Sequence, residues 1–189
     1  MPASGLRLLL AIAINLSGVF TVLATPSAAP DNTVVINSAT SYCMIMPRTL
    51  HTNIGDSEHP GGMQSCCSSA AQTDPSQCSL PDNFWRDVDY RTGTGSGKYV
   101  QLTGCIRPET LNRLNPKDSG GQYDSSGGAG GRGNPAGSVC KGYNHYVELV
   151  EPAGPRACIR CCENTSDCPL NKDTAGCPQV IPGNYFNCG

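Results

Sequence analysis

Twelve cysteines, all placed after residue 42, constrain this chain more than any other feature: Cys43, Cys66, Cys67, Cys78, Cys105, Cys140, Cys158, Cys161, Cys162, Cys168, Cys177 and Cys188. They follow a stretch that reads as an export signal. Residues 1–7 carry one positive charge, residues 8–14 form an apolar run, and Val22-Leu23-Ala24 offers the small-residue pattern that signal peptidase accepts. Asn15, Ser17 and Gly18 interrupt the apolar run, which falls short of the roughly 20 residues a membrane span needs. Residues 1–24 are therefore predicted to be a cleaved signal peptide, with Ala29 as a later cleavage option. Residues 25–189 are predicted to be one secreted, extracellular domain without membrane association. In an oxidising compartment an even set of twelve cysteines predicts six disulfides. About ten thousand pairings are formally open, so connectivity is not legible. Two constraints can be stated. The neighbours Cys66-Cys67 and Cys161-Cys162 should each reach different partners, because a ring between adjacent residues strains disulfide geometry. Cys188 should tie down the C-terminus. A zinc site at Cys158-x-x-Cys161-Cys162 with Cys168 competes with this reading, and the export signal argues against it.

Cross-links matter here because large apolar residues are sparse. After residue 24 there remain one Trp (Trp85) and two Phe (Phe84, Phe186). Removing residues 1–24 takes Arg7 and no acid, so 13 basic against 15 acidic side chains become 12 against 15. No basic stripe survives, which excludes the electrostatic footprint of a nucleic-acid binder.

The expected fold class is mainly β (α+β as an alternative), with short strands, one or two short helices and long loops. Residues 33–36, 42–46 and 98–106 read as strands, the last with Val100, Leu102 and Ile106 on one face. Residues 143–151 and 155–162 read as a hairpin, with Val147 and Leu149 facing the core and Glu148 on the other side. Ser79 is placed to cap a brief helix over 80–87 that buries Phe84, Trp85 and Val88. Pro108 is placed to open a turn or two stopped before Pro116. Residues 117–139, rich in glycine and serine, read as one long loop.

The candidate sites are modest. The run 93–98 resembles a phosphate-binding loop at a glance, but Thr92 stands at the first required glycine and Tyr99 replaces the magnesium-binding hydroxyl, so it reads as a turn. His145 could act as a general acid or base with Asp124 or Glu148 orienting it. Tyr123, Tyr143 and Tyr146 could offer rings to a ligand. His51, Asp56, Glu58 and His59 cluster in sequence, and Asp87-Val88-Asp89 or Asp118 with Asp124 offer acidic pairs. None has a ligand spacing that chemistry demands, so no metal and no cofactor is expected. Asn164-Thr165-Ser166 is a glycosylation sequon.

Several runs together resemble a family of small cysteine-rich secreted fungal proteins of basidiomycete and early-diverging mould type. They are Tyr42-Cys43-Met44-Ile45-Met46-Pro47, Gly55-Asp56-Ser57-Glu58, Gln101-Leu102-Thr103-Gly104-Cys105-Ile106, the run 121–128, the run 142–152, Ala157-Cys158-Ile159-Arg160-Cys161-Cys162 and the run 181–186. That family has no established activity, so the resemblance implies location and supplies no site residue. The reading that follows is a non-enzymatic extracellular protein recognising cell-wall polysaccharide or a host surface. The alternative is a small secreted hydrolase built on His145.

Overall fold

The computed structural model describes residues 29–126, 135–172 and 174–188. The predicted signal peptide, residues 1–24, lies outside the described residues. Ten strands are described, and they form two five-stranded sheets. The first sheet contains β1 (Thr33–Ile36), β2 (Tyr42–Pro47), β3 (Met63–Cys67), β4 (Cys78–Ser79) and β8 (Val139–Cys140), in the order β4-β3-β2-β1-β8. The second contains β5 (Trp85–Thr94), β6 (Lys98–Ile106), β7 (Gly121–Asp124), β9 (His145–Glu151) and β10 (Arg156–Cys162), in the order β5-β6-β10-β9-β7. Two four-residue helices, α1 (Ile54–Ser57) and α2 (Cys177–Val180), and short 3-10 turns complete the chain. Among the described residues no helix is long and apolar enough to cross a membrane. The expected mainly-β single domain is thus what the chain forms.

The main core draws on both sheets. Met44, Ile45 and Met46 of β2 pack in one cluster with Leu102 of β6, Tyr146 and Val150 of β9 and Ile159 of β10. Each fully buried aliphatic side chain of this kind contributes about 1.5–3 kcal/mol. The opposite face of the second sheet is also covered. There Val147, Leu149 and Cys158 pack under Cys177, Val180 and Ile181 of the C-terminal segment. The second sheet is therefore buried on both faces near its centre, and the expected placement of Glu148 is overturned. Strand residues alternate sides, so Tyr146, Glu148 and Val150 point between the sheets while Val147 and Leu149 point under the C-terminal segment.

The 143–151/155–162 hairpin forms as expected, β9 and β10 pairing from Glu151↔Arg156 to His145↔Cys162. The helix expected over 80–87 does not form. Its apolar contacts survive, Phe84 and Trp85 packing edge-on at 5.7 Å and Val88 lying partly buried against the main core. Trp85 begins the long edge strand β5, most of whose residues after Trp85 are charged or polar and open to solvent. β5 bulges between Trp85 and Asp87 opposite β6. A side chain at Gly104 would collide there with the Asp87 carbonyl oxygen, so the bulge requires glycine. The segment expected as one loop over 117–139 contains the strand β7 and the first residue of β8, and residues 127–134 of it lie outside the described residues.

All twelve cysteines pair. Cys43–Cys67 and Cys66–Cys78 cross-link neighbouring strands of the first sheet, and Cys140–Cys161 joins β8 to β10 across the two sheets. The other three fasten the C-terminal segment: Cys162–Cys168, Cys158–Cys177 and Cys105–Cys188. Both adjacent pairs reach separate partners, and Cys188 ties the C-terminus to β6. The sulfurs considered for zinc are each committed to a disulfide.

Candidate functional site

The phase of β9 decides the fate of the His145 constellation. His145 lies on the same face as Val147 and Leu149, whereas Glu148 lies on the opposite face, inside the core. A sheet stands between them, so Glu148 cannot orient His145. The Glu148 carboxyl is buried; its Oε2 accepts a hydrogen bond from the Ile45 N–H at 2.9 Å, and its Oε1 has no partner among the described residues. Burial raises its pKa well above the usual carboxyl value, and the Ile45 hydrogen bond opposes this only in part. Asp124 shares a face with His145, being paired with Val147 across β7 and β9. Its oxygens accept from Gln122 Nε2 at 2.9 Å and from the Ser126 N–H at 2.6 Å, and Ser126 Oγ lies 2.5 Å away. No hydrogen bond or ion pair joins His145 to either acid among the described residues. The sheet thus separates Glu148 from His145, while Asp124 lies on the His145 face without a hydrogen bond to it among the described residues.

Two of the three candidate binding tyrosines are also reassigned. Tyr123 and Tyr146 are fully buried, their phenols paired with Ser57 Oγ at 2.6 Å and Ser138 Oγ at 2.7 Å. Both rings face the core and offer nothing to a ligand. Desolvation pushes both phenols well above their usual pKa, as expected of neutral groups sealed from water.

Tyr143 differs. It sits in the short turn between β8 and β9, packed against the main core yet partly open. The turn reverses at Gly142, whose φ of +84° is the left-handed region that side chains avoid. Tyr143 lines two hollows at once. One, of about 580 Å³, lies along β1 and is walled by residues 70–77 and 139–142. The other, of about 400 Å³, lies against the β5–β6 hairpin beside Thr92, Thr94, Lys98 and Tyr99. The first volume falls in the usual range for ligand pockets. In β1 and just beyond it the residues Thr33, Val35 and Asn37 reach the first hollow at period-two spacing, and Thr73, Gln77 and Lys141 add hydroxyl, amide and ammonium groups. Neither hollow is lined by a carboxylate or a histidine among the described residues. Partial burial, then the nearby Tyr90 and Glu163, raise the Tyr143 pKa, so its ring stays neutral. This surface was not legible in the sequence. Its parts come from β1, the 70–77 loop, a distant hairpin and the 139–143 turn, and no short motif joins them.

The remaining candidates resolve as structure. The glycine-rich turn at 95–97 is filled by the chain's own acids: Asp167 accepts from the Ser96 and Gly97 N–H groups at 3.1 and 2.9 Å, and Glu163 accepts from the Lys98 N–H at 3.0 Å. Among the described residues no group of three His, Cys, Asp or Glu side chains could hold a metal ion, His51, Asp56, Glu58 and His59 included. Asn164 is exposed, and its Oδ1 accepts from the Ser166 N–H at 3.0 Å, forming a local turn around the sequon. The chain matches no protein-family model, no curated protein and no solved structure.

Proposed function

We propose that this chain is an extracellular, non-enzymatic glycan-binding protein whose site is the surface around Tyr143. Six disulfides make it a disulfide-stabilised protein of extracellular type. The observation that carries the binding reading is the lining of the two hollows. They combine the half-open Tyr143 and Tyr99 rings with hydroxyl and amide groups, and among the described residues no acid or histidine lines them. A sugar ring stacks its C–H face on an aromatic ring and hydrogen-bonds through its hydroxyls, and this lining offers both kinds of contact. The hydrolase alternative needs His145 beside an acid; Glu148 lies across the sheet from it, and Asp124, on the same face, makes no hydrogen bond to it among the described residues.

The resemblance to small cysteine-rich secreted fungal proteins gives this reading a setting, since such a protein meets cell-wall polysaccharide or a host surface on leaving the cell. Asn164 is the proposed glycan acceptor on the chain itself. The test is co-sedimentation of the disulfide-intact protein with insoluble polysaccharides. The expected result is retention on at least one polymer, weakened about tenfold by Tyr143→Ala and little changed by His145→Ala. Passage of the unmodified protein through every polymer would remove the reading. Loss of bond cleavage on His145→Ala, with binding kept, would restore the hydrolase.

A further inference from the structure

We infer that the polymer held at Tyr143 is acidic, a glycan carrying carboxylate groups, with Lys98 and Lys141 reading its charge on either side of the ring. This rests on the glycan-binding reading and adds to it the class of ligand. The observation is an uneven distribution of charge. The chain carries more acid than base, 15 acidic against 13 basic side chains, yet among the described residues no acid lines either hollow beside Tyr143. Each hollow instead contains one lysine, Lys141 in the larger and Lys98 in the smaller.

The described arginines sharpen the contrast; Lys117 and Lys172 are, like Lys98 and Lys141, exposed and without an ion pair among the described residues, but they line neither hollow. Arg48, Arg86, Arg91 and Arg156 form ion pairs with Asp31, Asp87, Asp89 and Glu151. Arg107 and Arg113 donate to backbone carbonyls, and Arg160 binds Gln101 and lies 4.5 Å over the Tyr99 ring. The described arginines are thus consumed in holding the fold. Lys98 and Lys141 are exposed, and neither ammonium has a carboxylate partner among the described residues. A lysine is a mobile point charge on a flexible stem, suited to a carboxylate whose position varies along a polymer.

The acid that comes near the site is turned to another task. Glu163 lies close enough to influence Tyr143, but its Oε2 is held by the Lys98 N–H at 3.0 Å and it lines neither hollow. Because Tyr143 borders both hollows, a chain crossing it would meet one ammonium before the ring and one after. Affinity should then rise with chain length until both hollows are filled.

The experiment compares polygalacturonate with its fully methyl-esterified form, which keeps the sugar backbone and removes the charge. Disulfide-intact protein should bind the acid polymer about tenfold more tightly than the ester. That preference should fade as salt rises from about 0.05 to 0.5 M. Lys98→Gln with Lys141→Gln should abolish the preference while leaving the near-ultraviolet circular dichroism unchanged, since neither side chain supports the fold. Glu163→Gln, which keeps the acceptor for the Lys98 N–H, should strengthen binding to the acid polymer. Equal affinity for both polymers would overturn the inference and leave the glycan-binding reading standing. Equal affinity for a single-stranded oligonucleotide would also overturn it, by showing that charge alone is read. Binding to neither polymer, nor to any neutral glycan, would remove both readings.

Discussion

Glu148 is placed where a carboxyl group is costly. It lies between the sheets beside the buried Tyr123 and Tyr146 rings, with the Ile45 N–H as its hydrogen-bond donor. Its pKa is raised in the folded protein, chiefly by desolvation. In the unfolded chain it would lose its proton near the ordinary carboxyl value. The stabilisation linked to this group is therefore complete at acidic pH, below that ordinary value, and is lost as pH rises toward the folded pKa. Glu148→Gln keeps an acceptor for Ile45 and removes the titration. Thermal melts should show the variant more stable than the parent near about pH 8, the gap closing near about pH 4. A gap that widens in acid would contradict this account. A second residue-scale expectation concerns Gly142, with φ at +84° and open space where a side-chain methyl would stand. Gly142→Ala meets no steric wall, so its cost is conformational, about 1 kcal/mol in a denaturant titration. Because it re-aims the turn that carries Tyr143, it should also weaken polysaccharide retention.

At the scale of elements, legibility followed apolar periodicity. The β6 strand over 98–106 and the β9–β10 hairpin were readable because their apolar residues recur at strand spacing and Pro152 to Pro155 mark the reversal between them. β5 was not. It is an edge strand, and Pro81 after Ser79, followed by Phe84, Trp85 and Val88 at near-helical spacing, imitates a helix start. β3, with the sequence Met-Gln-Ser-Cys-Cys, shows no alternation because both its faces are covered. β8 has two residues, and pairing with β1 defines it, which sequence periodicity cannot report. The same limit applies to the site. A periodic strand announces which residues share a face, and it does not announce which face the rest of the chain will bury. For β9 the pattern was consistent with either side, and the C-terminal segment and the first sheet between them buried both.

At the scale of the molecule, the disulfides divide the work. Cys140–Cys161 ties one sheet to the other, whereas Cys105–Cys188 holds the far end of the C-terminal segment against β6. Chain-entropy reasoning ranks the cross-links by the loops they close, 83 residues for Cys105–Cys188 and 6 for Cys162–Cys168. Paired alanine replacements should cost about 4–5 kcal/mol for the former and about 2 kcal/mol for the latter in chemical denaturation. The reverse order would show that strain or residual structure in the unfolded chain outweighs loop closure. By itself the amino-acid order determined the covalent logic of this protein. An even set of cysteines, sparse aromatic bulk and period-two apolar runs together point to a stapled β fold, because cross-links that restrict the unfolded chain add to what a core poor in large side chains supplies. Only the tertiary structure decided which cysteines meet, that Glu148, Tyr123 and Tyr146 turn inward, and that Tyr143 lines both the hollow of Lys98 and that of Lys141. Those outcomes depend on which sheet faces pack together, and packing is a property of segments far apart in the chain.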